Sequence, residues 1–189
     1  MKIVYNSPVV LTFALACTLV LAVNLATGNV LLPLFSVGPT MHWGNPIDYL
    51  RLFTYVLGHA GVQHLVGNMM MLLLLGPLLE EKYGPRLLLG MIAITAVVTG
   101  LLQVLLFDDS LLGASGIVFM MIILASVTNA KRGTLPVTLV LVVVLYIGQE
   151  LYNAIGSDQI SQFAHIIGGA CGAALGLARV GRATTRTTS

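Results

Sequence analysis

Charge is scarce in this sequence. Lysine and arginine together number 9 and aspartate and glutamate 7 among 189 residues, and the net of +2 is too small and too dispersed to make a nucleic-acid-binding surface. Cysteine is scarcer still: Cys17 and Cys171 lie in apolar runs and match no ligand spacing, which argues against a disulfide framework or a zinc site and leaves packing as their role. Several catalytic signatures are missing as well. There is no HExxH pair, and His59 and His64 stand five apart rather than four, so a helical zinc site is not expected. Residue 117 is Ile117, so Ser115 does not sit in the GxSxG elbow of an α/β-hydrolase, and no alternating strand and helix pattern surrounds it. Asp48, Asp108, Asp109 and Asp158 all read as loop residues, which leaves no pair of buried aspartates for aspartyl chemistry.

What the chain has instead is apolar length. With 57% hydrophobic residues and a mean hydropathy of +0.96, it cannot hide its apolar groups in one soluble core of ordinary proportions. It reads as an all-α polytopic membrane protein. A bilayer core of about 30 Å needs about 20 mostly apolar residues per helix. Six such stretches fall near residues 8–28, 61–80, 86–106, 114–130, 135–153 and 161–179, and residues 180–189 form a short cytoplasmic tail, expected to be disordered. Gly84-Pro85, Asp108-Asp109, Lys131-Arg132-Gly133 and Gly156-Ser157-Asp158 punctuate them.

The charges, though few, are placed. With the N-terminus inside, the inner segments hold Lys2, Lys82, Arg86, Lys131, Arg132, Arg179, Arg182 and Arg186, and only Arg51 falls outside. The positive-inside rule therefore selects six spans with both termini cytoplasmic, in the inner (cytoplasmic) membrane. The first span is not read as a cleaved signal, because apolar residues continue well past Cys17, and no transit peptide precedes it. Residues 29–50, with Pro33, Pro39, Trp43 and Pro46, read as an outer interfacial loop with Trp43 at headgroup level.

In that topology spans two, four and six run from outside to inside, and each carries polar residues within its first two turns: His64 and Asn68, Ser115, and His165. His64 and Asn68 are four apart and share a helix face. Polar side chains in lipid are expensive unless paired or lining a wet cavity, so two intramembrane histidines at matching depth mark a functional site. Ser115 opens a helix, where backbone N–H groups and the dipole favour an oxyanion, and His165 is the nearest base by depth. Asn68, with His64 as a further donor, could join the Ser115 N–H in holding that oxyanion. Taken singly, Asn68 is more often an interhelical hydrogen-bond former and Ser115 a packing residue; coincidence of depth and direction favours acyl transfer. Gly168, Gly172 and Gly176 form a small-residue stripe that would let span six approach span four.

These residues resemble the rhomboid intramembrane serine proteases. The marks are His59, His64 and Asn68 in "HAGVQHLVGN", the Gly76, Glu80 and Gly84 spacing, Gly113-Ala114-Ser115-Gly116, and Ala164-His165 followed by Gly168 and Gly172, in family order from residue 51 to 176. The resemblance implies a six-span rhomboid-like bundle with Ser115 as nucleophile and His165 as general base. His64, Asn68 and the Ser115 backbone N–H would stabilise the oxyanion, and Gly113, Gly116, Phe119, Gly168 and Gly172 would support the site. It further implies transmembrane protein substrates cut in or near the lipid bilayer, a water-filled cavity open to the outer face, and neither metal nor other cofactor.

Two positions depart from the family pattern. Leu50-Arg51 stands where Trp-Arg is common, which puts the anchoring of the first loop in question, and Phe119 stands where tyrosine is common beneath the histidine. Glu150, near the outer end of span five, reads as a carboxylate reaching the interface rather than as a third triad member. A small transporter is disfavoured because the polar cluster lies toward one face and no duplicated half is visible. The remaining alternative is an inactive rhomboid-like protein that binds membrane clients without cutting them.

Overall fold

In the computed structural model of this chain, residues 4–39, 41–130 and 159–185 are described, together with Val137, Val140, Leu141, Val144, Leu145 and Gly148. Their architecture is all-helical, a polytopic membrane bundle. Its α-helices among the described residues are α1 (Pro8–Ala26), α2 (Pro46–Thr54), α3 (Val62–Tyr83), α4 (Pro85–Leu106), α5 (Ser115–Ala130) and α6 (Gln159–Thr185). Short 3-10 turns at Leu32–Phe35 and Tyr55–Leu57 flank α2. The expected fifth span, 135–153, lies outside the described residues except for the six positions named, which are helical and at least partly exposed. Glu150 lies outside them too.

α1, α3 and α4 are each long and apolar enough to cross a membrane. Their outward residues, among them Leu19, Met70, Leu78 and Leu89, are exposed, as a lipid-facing surface is. α5 differs. Val118, Met120, Met121, Ile122 and Leu124 are each 0% exposed, and a helix apolar and buried on all sides is a central one. Ser115 therefore stands at the head of the innermost helix.

Packing between helices is set by small residues. A Cβ on Gly168 or Gly172 would overlap the carbonyl groups of Gly116 and Met120, so the backbones of α5 and α6 touch directly. Contacts advance in step along both helices, from Gly116 against Gly168 to Val127 against Gly176, which makes the pair parallel. On the other side, a Cβ on Gly76 would come within 2.6 Å of Val10 Cγ2, while Cys17 further along α1 meets the Val56 carbonyl ahead of α3, so α1 packs against α3 in the opposite sense. There Glu80, 4% exposed, accepts from the Val9 and Val10 N–H groups, each at 3.0 Å. Those are orphan donors of the first turn of α1, and no side chain at Ser7 caps them.

Two regions differ from the sequence expectation. The segment read as a loop through Leu50 already turns helical at Pro46, because Asn45 accepts from the Ile47 N–H at 3.1 Å and Pro46 is preset for a first helical turn. Asp48, read as a loop residue, therefore lies in the first turn of α2. At the other end α6 runs on to Thr185 rather than giving way to a tail at residue 180, since no proline interrupts Arg179–Thr185.

Candidate active site

Three helices begin at the same end of the bundle. α3 brings His64 in its first turn and Asn68 one turn further on, α5 begins on Ser115, and α6 carries His165. His64 meets the turn ahead of Ser115: its Cε1 and Nε2 lie 2.7 and 2.8 Å from where a Cβ on Gly113 would be. Gly113 also has φ 120°, so both its backbone conformation and its neighbour require glycine. Its N–H donates to the Tyr55 carbonyl at 3.0 Å, which ties this turn to the segment leading into α3.

His165 is 7% exposed and stacks on Phe119, with ring centroids 4.1 Å apart and planes 9° from parallel. The aromatic ring at 119 thus packs flat on the histidine without a tyrosine hydroxyl. Gly116, the residue after Ser115, has the Ala164 carbonyl 3.3 Å from its Cβ position, so Ser115 and His165 flank one helix crossing. Ser115 itself is half-buried. Asn68 is 3% exposed; its Nδ2 donates to the His64 carbonyl at 3.0 Å, and its Oδ1 has no hydrogen-bond partner among the described residues. An amide nitrogen carries two protons, so one remains to donate.

The loop ahead of α2 is held to the same end. Arg51 donates from Nε to the Ser36 carbonyl at 2.7 Å, from Nη2 to the Gly38 carbonyl at 2.9 Å and from Nη1 to Asp48 Oδ1 at 3.0 Å. Val37, between those carbonyls, exchanges hydrogen bonds with Leu111 at 2.9 and 2.8 Å, two residues short of Gly113. With leucine at position 50, Arg51 still anchors the loop. The His42 N–H, 2.7 Å from Asp48 Oδ2, and then the Arg51 guanidinium hold the Asp48 carboxyl below its usual range against the opposing effect of burial.

Sequence reasoning singled out His64, Asn68, Ser115 and His165, and these lie together. It missed the grip of Arg51 and Asp48 and the cap supplied by Glu80. For Arg51 a signal existed, since it was the one cation left outside by the charge tally. Among the described residues no three His, Cys, Asp or Glu side chains cluster as a metal site would.

Comparison with known proteins points one way. A family model for the rhomboid domain matches residues 46–182. Rhomboid-related protein 2 of Mus musculus is 33% identical over 141 residues, which cover 67% of this chain and 46% of the mouse protein. The chain thus spans about half the length of that relative.

Proposed function

The chain belongs to the rhomboid family, and from that premise we propose that it is an intramembrane serine endopeptidase that hydrolyses peptide bonds in or near transmembrane segments of other proteins. The observation that carries the reading is the α5–α6 crossing, where Gly116 meets Ala164 and Phe119 stacks on His165 beside a turn that His64 packs against. That arrangement supports reading Ser115 as nucleophile, His165 as base, and Asn68 and His64 as oxyanion donors.

The mechanism follows from those positions. Ser115 attacks the scissile carbonyl of a locally unwound client helix while His165 takes its proton. The tetrahedral oxyanion is held by the Ser115 N–H at the head of α5, by the remaining Nδ2 proton of Asn68 and by His64 Nε2. His165 then returns the proton to the leaving amine, and water deacylates the serine. A dyad suffices here, and no metal or cofactor is needed. The charge tally orients the site toward the outer face of the inner membrane, with both termini cytoplasmic, where water reaches it.

Labelling of the purified protein in liposomes with a fluorophosphonate tests the reading. Wild type should label, and Ser115→Ala and His165→Ala should not. Equal labelling of wild type and Ser115→Ala would remove the protease, leaving a rhomboid-like protein that binds clients without cutting them.

A further inference from the structure

His59 has no part in that mechanism, yet it is 2% exposed and its Nε2 has no hydrogen-bond partner among the described residues. Its Nδ1 lies 3.1 Å from the Leu57 carbonyl oxygen. A carbonyl only accepts, so Nδ1 carries the ring proton and Nε2 is a bare lone pair. Phenylalanine would fill the space without burying an unsatisfied acceptor, so packing alone does not account for a histidine here.

The neighbouring ring does. The His59 and His64 centroids are 5.0 Å apart with planes at 59°. The N–H of Ala60, the next residue, donates to His64 Nδ1 in a long bond of 3.4 Å. A backbone N–H only donates, so neutral His64 keeps its proton on Nε2, the edge that meets Gly113. The turn that carries His59 and Ala60 is itself pinned, because a Cβ on Gly58 would overlap the Phe35 carbonyl.

We propose that His59 is a positioning residue for His64: its ring, fixed by the Leu57 carbonyl, and the Ala60 N–H hold the His64 imidazole with Nε2–H toward the turn before Ser115. The role rests on the protease reading above. A donor already aimed where negative charge develops does not have to be reoriented during reaction, and that is where such residues gain their effect.

The test measures the rate of Ser115 labelling by a fluorophosphonate in liposomes for His59→Ala, His59→Phe, His64→Ala and the double variant His59→Ala/His64→Ala, with thermal melting of each. His59→Ala should slow labelling about tenfold, and His59→Phe, which keeps a ring but not the Nδ1–H bond to the Leu57 carbonyl that fixes it, more than about threefold. In the His64→Ala background, His59→Ala should add less than about twofold, since the group it acts through is gone. Nitrogen-15 NMR of wild type, which depends on no variant folding, should find the neutral His64 proton on Nε2 and that of His59 on Nδ1. A His64 proton on Nδ1, or a tenfold loss repeated in the His64→Ala background, would overturn the role of His59 alone. Wild type that fails to label at Ser115 would overturn the protease reading and this role with it.

Discussion

The two ends of the bundle treat buried polar groups in opposite ways. Where α1 begins, the Glu80 carboxylate gives one oxygen to each of two neighbouring N–H groups, and the result is a clasp. Where α3, α5 and α6 begin, Asn68 Oδ1 and His59 Nε2 are buried with no hydrogen-bond partner among the described residues. A charged group out of water is tolerable when its hydrogen bonds are filled. Atoms left unfilled in the same apolar surroundings carry a cost that no bond among the described residues offsets. One end is clasped, and the other leaves buried acceptors unfilled.

Substitutions can break that contrast, and the largest effect should come from the seam on which the reactive end depends. Gly168→Ile would drive a side chain into the Gly116 carbonyl, and we expect about 3 kcal/mol or more of destabilisation with loss of labelling, read by melting and fluorophosphonate uptake. Next, Asn68→Ala should cost on the order of 10² in cleavage rate while the melting temperature barely moves; an unchanged rate would take Asn68 out of the oxyanion site.

Glu80→Gln sharpens the comparison from the other side. One N–H of α1 loses its acceptor and the charge assistance goes, so we expect about 2 kcal/mol lost in denaturation, with the labelling rate of the remaining folded protein within a few-fold of wild type. A selective loss of rate would mean that the two ends are coupled. Arg51→Lys should lower the rate about tenfold, because an ammonium cannot span the Ser36 and Gly38 carbonyls and the Asp48 carboxylate at once.

The smallest effect is a pH dependence at Asp48. Its carboxyl is depressed below its ordinary value of 3.8, so the loop anchor it contributes is fully present above that value and is lost as pH falls through its lower folded value. Hydrogen exchange at residues 36–38 should therefore stay slow at pH 5 and quicken only in strong acid. Acceleration already between pH 6 and 5 would show that another group controls the loop.

The long helices α1, α3, α4, α5 and α6 and the polar residues at their heads were legible in the sequence, α2 was not, and for one reason. Apolar length and helical spacing are local properties, and His64 with Asn68, or Gly168 with Gly172, declare a shared face by being four apart. Partners distant in the chain were not legible. Glu80 reads as one of two acidic residues at a helix end, and nothing local says that it reaches back 70 residues to Val10. Arg51 reads as an isolated outer cation, although its fork grips carbonyls from a loop 13 and 15 residues earlier.

The amino-acid order alone determined that this chain enters a bilayer as helices, and which hydroxyl, imidazoles and amide stand near the helix starts, because hydrophobicity and periodicity act over a few turns. Tertiary structure decided which backbones touch, which rings meet and which carbonyls Arg51 grips. Those depend on distances between segments far apart in sequence, and close packing, which no single segment encodes, sets them.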